Sequence, residues 1–172
     1  MINKSVRRVL IVALLAIAAT AVYFVTSKKE NNQGFTVENK APSFNKEGEL
    51  IFISKTESDT LAVIDIEIAN DEHKTAQGLM YRSSMPHNAG MLFLMPSEEI
   101  QGFWMRNTYI ALDMIFVNSK MEIVTIHANT TPMNENSYIS TAPALYVVEV
   151  NAGYCNKNNI KEGDKIDFTS NK

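Results

Sequence analysis

The chain has 172 residues, which is enough for one domain with an additional terminal segment. Its hydrophobic fraction of 45% excludes a disordered protein, and its single cysteine excludes an intrachain disulfide. The net charge of −3 is unevenly divided, because residues 1–29 contain five lysines and arginines and no acid, which leaves −8 on the remainder. Such an acidic domain repels phosphate backbones, so nucleic acid is not expected as a partner.

The N-terminal segment carries the signals of membrane insertion. Residues 9–25 contain no charged side chain, and lysines or arginines lie on both sides of them. An apolar segment over residues 9–27 can span a bilayer, and the preceding cations are expected to keep residues 1–8 in the cytoplasm. We therefore predict a single-pass signal anchor in the cell membrane with an exported domain. The alternative is cleavage after Ala19-Thr20-Ala21, which would release a periplasmic or secreted protein.

Polar and then β-like segments follow the predicted anchor. Residues 28–48 lack periodicity and indicate a linker, and residues 49–169 form the predicted domain before a short tail, 170–172. Acidic and aliphatic residues alternate over 61–69, which is typical of a half-buried strand. A helix over 71–81 is predicted after an Asn-Asp pair that can cap it. The other predicted strands cover residues 49–55, 91–95, 110–117, 121–127, 144–150 and 166–168.

The order of these elements favours a mainly β fold with a minor α+β character. Six or seven short strands and one short helix occur without a repeated βαβ pattern. Short strands joined by turns are typical of a compact antiparallel sheet or a partly closed barrel. We expect one of these two architectures behind the transmembrane segment.

Two acidic side chains, Asp113 and Glu149, interrupt apolar runs. A buried carboxyl must be paired, hydrogen-bonded or protonated, because an unpaired buried carboxylate is strongly destabilising. Both faces of the strand around Asp113 are apolar, so its donor is predicted to be among Arg82, Arg106, Asn107 and Thr108. One interpretation is a structural clamp between loop and strand. The other is a cleft in which Asp113 or Glu149, with a raised pKa, acts as an acid or base.

Aromatic and sulfur-containing residues supply further candidates. Trp104 is the only tryptophan, and it is either a lid over the core or, with Phe103, a stacking platform for a planar ligand. Eight methionines lie between residues 80 and 133, most of them in strand patterns explained by core packing. A soft-metal site for Cu(I) would use Met80, Met85 and His87. The full candidate binding or structural cluster is Met80, Arg82, Trp104, Met105, Arg106, Asn107, Thr108, Asp113 and Glu149.

Five strings of residues resemble the domain-of-unknown-function 192 (DUF192) family and occur in its order over residues 50–169. They are TAQGLMYR (75–82), GMLFLM (90–95), FWMRNTYIALDMIF (103–116), YVVEVNAG (146–153) and IKEGDKIDF (160–168). The resemblance implies a small, mainly β domain that is commonly exported behind an N-terminal hydrophobic segment. It implies no activity. Arg106 departs from the family pattern, which has lysine at this position.

The resemblance also implies a set of signature positions, several of which belong to the candidate cluster. They are Gly78, Leu79, Met80, Arg82, Gly90, Met91, Phe93, Trp104, Met105, Asn107, Thr108, Asp113, Glu149 and Gly153.

Three functions are compatible with these residues. The first is a membrane-tethered, non-catalytic module of the cell envelope that binds a small molecule or an envelope protein and needs no cofactor. The second is an enzyme that processes envelope carbohydrate or peptide with Asp113 and Glu149. The third is a copper-handling protein that uses methionine and histidine.

Overall fold

The computed structural model of the protein describes residues 42–171. The predicted cytoplasmic N-terminus (1–8), the predicted signal anchor with its alternative cleavage site (9–27) and most of the predicted linker (28–48) lie outside the described residues. Within residues 42–171, no helix is long and apolar enough to cross a membrane.

The described chain is mainly β, as the sequence predicts. Seven strands form one sheet in the order β6-β5-β8-β3-β2-β1-β9, and β4 pairs with β7 in a second, two-stranded sheet. Their bounds are β1 Gly48–Ile53, β2 Thr60–Ala69, β3 Ala89–Glu99, β4 Gly102–Phe103, β5 Leu112–Val117, β6 Ile123–His127, β7 Tyr138–Ile139, β8 Ala144–Asn151 and β9 Lys165–Ser170. Two short helices, α1 Glu72–Gln77 and α2 Tyr154–Lys157, complete the elements of this region.

The predicted antiparallel arrangement is wrong at one position. β2 and β3 run parallel, because α1 and the loop after it return the chain to the side of the sheet where β2 begins. The sheet is therefore mixed. Near its edge strands, a bridge joins Glu122 to Lys165, and the Ile166 N–H donates to the Met121 carbonyl at 2.9 Å. β6 and β9 do not pair along their length, so the sheet does not form a closed barrel.

The predicted helix over residues 71–81 is confirmed in type and is shorter than predicted. The Asp71 side chain caps α1 by accepting a hydrogen bond from the Lys74 N–H at 2.8 Å. α1 ends at Gly78, which has a φ of 47° and cannot continue a right-handed helix. Two further elements, α2 and the β4–β7 pair, are too short to produce a periodic sequence pattern.

Alternation along the strands builds a hydrophobic cluster on each face of the large sheet. The first cluster, on the face of Ile115 and Val148, contains the buried aliphatic side chains of β1 and β2. The second cluster, on the face of Met114 and Val147, is covered by the segment after α1 and by the loop before β5. This second face carries the cleft described below.

Asp113 lies on the first face and is fully buried there, because strand alternation turns it away from its neighbour Met114. Its carboxylate accepts three backbone N–H bonds. Oδ1 accepts from Asn129 at 2.8 Å and from Gly153 at 3.0 Å, and Oδ2 accepts from Cys155 at 2.9 Å. Asp113 therefore fixes two loops to the centre of the sheet.

The predicted donors of Asp113 are consequently wrong. The side chains proposed for this role lie on the loops that cover the second face, and backbone amides from the opposite side satisfy the carboxylate instead. Such donors leave no signal in the identity of the side chains. The four predicted donors make their side-chain contacts with other residues; they are Arg82, Arg106, Asn107 and Thr108.

The Asp113 clamp predicts a specific loss of stability in Asp113→Asn. The amide oxygen can accept two of the three hydrogen bonds, and the amide nitrogen cannot accept the third. One buried N–H group without an acceptor lowers the free energy of unfolding by about 1–3 kcal/mol. Urea denaturation measures the change, with Asp59→Asn as the control because Asp59 is exposed. Equal stability of the two variants would contradict the clamp.

Candidate functional site

A cleft of about 220 Å³ opens on the second face of the sheet. One wall is the end of α1 and the residues after it, and the opposite wall is β4 with the loop that follows. Strands β3 and β8 form the floor. The lining comprises residues 75–80, Phe93, Met95, residues 102–104, Thr108 and Glu149.

The α1 wall depends on Gly78. A Cβ atom at this position would lie 3.3 Å from Cζ of Phe93, and the positive φ is one that other residues rarely adopt. Glycine therefore lets the chain turn closely over the floor of the cleft. Met80 lies just beyond the turn and lines the same wall.

The opposite wall presents Trp104 to the solvent. Trp104 is 45% exposed, and the guanidinium carbon of Arg106 lies 5.4 Å from the centroid of its ring. Of the two interpretations of this tryptophan, the stacking platform agrees with the exposure and the core lid does not. Met105 is the core residue of this loop, since it is fully buried and accepts a hydrogen bond from the Thr130 hydroxyl at 3.3 Å.

Two hydrogen bonds join the walls. The Tyr81 N–H donates to the Asn107 carbonyl at 2.8 Å, and the Asn107 amide donates to the Tyr81 hydroxyl at 2.8 Å. The same amide nitrogen lies 3.9 Å from Sδ of Met80. Tyr81 and Asn107 both have a left-handed backbone, with φ of 64° and 53°. Such strained conformations cluster at binding sites, where the surrounding structure imposes them.

Glu149 occupies the floor. It is 4% exposed, and the strand register places it between Met91 on β3 and Met114 on β5. Its carboxyl lines the cleft without a hydrogen bond or ion pair to any residue of the described range 42–171. Burial raises the pKa of Glu149 to about 8, so the carboxyl is mostly protonated at neutral pH.

Arg82 belongs to a neighbouring cavity of about 120 Å³. Its Nη1 lies 2.6 Å from Oε2 of Glu67, and both side chains are buried. The sequence does not identify Glu67 as a buried residue, because its position in an alternating strand predicts a solvent-facing side chain. The loop that carries Arg82 covers that face and buries it. Arg82 thus connects this loop to β2, beside the cleft and outside its lining.

The pairing of Asp113 with Glu149 as catalytic carboxylates is wrong. Glu149 is aligned with Met114 across the sheet and shares its face, whereas Asp113 points to the other face. The sheet backbone separates the two carboxyls, so no substrate can lie between them.

The three residues predicted for a soft-metal site each make different contacts. Met80 lines the cleft, Met85 is buried in the second cluster, and Nε2 of His87 lies 2.7 Å from Nζ of Lys157. In the described part of the chain, no group of three or more His, Cys, Asp or Glu side chains is placed to hold a metal ion. Cys155 does not contribute a reactive thiol, since burial raises the pKa of its thiol.

The structure therefore separates the candidate cluster into groups. The cleft contains Met80, Trp104, Thr108 and Glu149; Arg106 and Asn107 lie at its rim; Met105, Arg82 and Asp113 lie outside it. Phe93, one of the signature positions implied by the family resemblance, also lines the cleft. Met95 lines it too, and the sequence does not indicate Met95 because it occurs within a uniformly apolar strand.

The buried carboxyl predicts that stability falls as the pH rises. Between the ordinary pKa of 4.5 and the folded value of about 8, the folded protein binds one more proton at Glu149 than the unfolded chain does. The free energy of unfolding should decrease across this window by at most about 5 kcal/mol and level off above it. Urea denaturation at a series of pH values measures this slope.

Glu149→Gln is the informative variant, since an amide of similar shape does not titrate and the contribution of this position to the slope should vanish. Glu57→Gln removes a carboxyl from an exposed loop and should retain the slope. Parallel curves for the wild type and Glu149→Gln would contradict a protonated Glu149.

Comparison with known proteins returns similar sequences and similar solved structures. UPF0127 protein PF1050 of Pyrococcus furiosus is 29% identical over 110 residues, which are 61% of this chain and 87% of that protein. A crystal structure of a protein of unknown function from Novosphingobium aromaticivorans has a TM-score of 0.65 and 34% identity, over 69% of this chain and 83% of that one. A candidate transcription regulator of Sinorhizobium meliloti has a TM-score of 0.68 and 36% identity, over 74% and 96%.

The family comparison covers the entire cleft. The DUF192 family, described as an uncharacterized ACR, matches residues 53–168, which include both walls and the floor. This match confirms the resemblance of the five strings. The chain belongs to the DUF192 family.

Proposed function

We propose that the protein is a non-catalytic binding module of the cell envelope that holds a small molecule in the cleft above Glu149. The observation that carries this proposal is the buried Glu149 carboxyl, which opens onto the cleft and has no partner within the described chain. A buried polar group without a partner is destabilising, and a ligand that supplies the partner would remove this cost.

The dimensions and the lining of the cleft support a ligand about the size of one ring. An apolar cavity of about 150 Å³ can hold a benzene molecule, and this cleft is about 220 Å³. Binding sites are mostly apolar with a small number of placed polar groups. Here the apolar surface comes from Phe93, Phe103 and Trp104, and the polar groups are Glu149 and Thr108.

Exposed apolar side chains surround the mouth. The exposed rings of Tyr81 and Tyr109 lie edge to face, with their centroids 6.3 Å apart. The N–H of the exposed Met133 donates to the carbonyl of Thr108, a lining residue. The exposed Ile139 pairs with Gly102 of the cleft wall. Exposed apolar patches mark interaction surfaces more often than ordinary surface does. These side chains form an apolar rim that can exclude water from a bound ligand.

The lining favours binding over catalysis. Glu149 is the one ionisable side chain among the lining residues, and the hydroxyls of Thr75 and Thr108 have no neighbouring base in that set. A general acid alone lacks the second group that activates a nucleophile. The net charge of −8 on residues 30–172 also argues against DNA binding.

The membrane tether is part of the same proposal. Residues 9–27 have the length and flanking charges of a signal anchor, which would place residues 49–169 outside the cytoplasm, attached to the membrane. Cleavage after Ala21 is the alternative and would give a periplasmic or secreted module.

Ligand capture should be visible in the fluorescence of Trp104, the only tryptophan in the chain. We expect 2-phenylethanol, a neutral probe of one ring, to change this fluorescence saturably with a dissociation constant of about 1 mM, or about −4 kcal/mol. Ala76→Phe adds a ring inside the lining and should weaken binding at least about tenfold, a loss of about 1.4 kcal/mol.

His73→Phe is the matched control, since it places the same phenyl ring on the same helix at an exposed position outside the cleft lining. It should bind the probe as the wild type does. Absence of saturation, or an equal effect of the two substitutions, would refute the cleft as the binding site.

The tether predicts that the full-length protein stays in the membrane pellet after an alkaline carbonate wash. Replacing Leu14 and Leu15 by arginine should release it or block its insertion, because arginine costs about 2.5–3.5 kcal/mol at the centre of a membrane helix. The intact mass of the purified protein tests the alternative. A mature chain that begins at Val22 and remains in the soluble fraction would replace the anchor with a cleaved signal peptide.

A further inference from the structure

We infer that the ligand of this cleft carries an organic ammonium group, and that Glu149 is its counter-ion. This inference rests on the proposed function and specifies the chemistry of the bound molecule. It starts from the geometry of one residue, Glu149, which is 4% exposed on the floor of an open cleft. Its carboxyl has no hydrogen-bond or ion-pair partner among residues 42–171.

The protein itself provides no cation for Glu149. On the β3 side, Arg82 lies beyond Met91 and is engaged by Glu67. On the β5 side, His127 lies beyond Met114, and its Nε2 donates a hydrogen bond to the carbonyl of Ile139 at 2.9 Å.

The remaining elements that pack against the cleft lack a free cation as well. On the wall above the floor, the guanidinium of Arg106 lies over the ring of Trp104, and its Nε is 4.0 Å from Oε1 of Glu135. From α1, Lys74 points away from the cleft and pairs with Glu47 at 2.9 Å. Each described cation near the cleft is thus engaged elsewhere, and burial is the cause that raises the pKa of Glu149.

The walls of the cleft have the electron-rich surfaces that attract cations. Phe93, Phe103 and Trp104 line it, and the rings of the two phenylalanines meet edge to face at 5.0 Å. The negative faces of aromatic rings attract ammonium groups. The thioethers of Met80 and Met95 add polarisable surface. A net charge of −8 outside residues 1–29 also draws cations towards the domain.

Binding of an ammonium ion involves a defined proton balance. The free cleft holds Glu149 as the neutral acid at neutral pH. When the ammonium group enters, the carboxyl releases its proton to the solvent and the resulting carboxylate pairs with the ligand, which keeps its own protons. One proton is therefore released for each ligand bound below pH 8, and the affinity should rise with pH up to that value. A neutral ligand releases no proton.

The test uses the full-length protein in detergent and two probes of nearly equal shape, 2-phenylethylamine and 2-phenylethanol. The amine stays protonated up to about pH 9, since alkylammonium groups have a pKa near 10. From Trp104 fluorescence we expect the affinity for the amine to rise about tenfold per pH unit from pH 6 to pH 8 and to exceed that for the alcohol at least tenfold at pH 8. Calorimetry in two buffers of different ionisation enthalpy should detect release of about one proton at pH 6.5.

Variants separate the role of the charge from the shape of the cleft. Glu149→Gln should remove the preference for the amine over the alcohol, because binding of the amine should weaken at least tenfold at pH 8 and lose its dependence on pH. Glu57→Gln, on an exposed loop, should leave both unchanged. Saturable binding of the alcohol without preference for the amine, or amine binding without proton release, would overturn the ammonium assignment alone. Failure of both probes to bind would overturn the proposed function together with it.

Discussion

The register of β3, β8 and β5 is the constraint on which the cleft depends. It places Glu149 opposite Met91 on one side and Met114 on the other, in the middle of the large sheet. Backbone pairing on both sides of β8 holds this position, so the carboxyl lies between apolar neighbours on the floor of the cleft. An acid kept in such surroundings reduces stability at neutral pH, which a protein tolerates where the group serves a function.

The sheet contains a second buried carboxyl, that of Asp113, whose surroundings differ from those of Glu149. Asp113 is as deeply buried, yet three backbone N–H groups satisfy it and it lies outside the lining of the cleft. Its role is to hold two loops to the sheet through those three hydrogen bonds. Glu149 has none of these donors, and its neutral form is favoured instead. Two acids within apolar runs thus lie in different surroundings, one bonded to backbone amides and one facing the cleft.

The walls of the cleft combine tight packing with unusual backbone conformations. Gly78 turns over Phe93, and Tyr81 and Asn107 exchange two hydrogen bonds in left-handed conformations. These bonds fix the distance between the α1 wall and the Trp104 wall. A cleft held open in this way needs little rearrangement to accept a ligand, which reduces the entropy lost on binding.

Local pattern in the sequence was sufficient for the mainly β class, the helix after β2 and the membership in DUF192, because alternation, capping and motif strings are properties of neighbouring residues. It also selected Trp104 and Glu149. Tertiary structure alone decided the parallel pairing of β2 with β3, the backbone donors of Asp113 and the burial of Glu67 by the loop of Arg82. Each of these depends on contacts between segments distant in the chain, and a backbone N–H or a covering loop leaves no trace in the identity of the residue that it contacts.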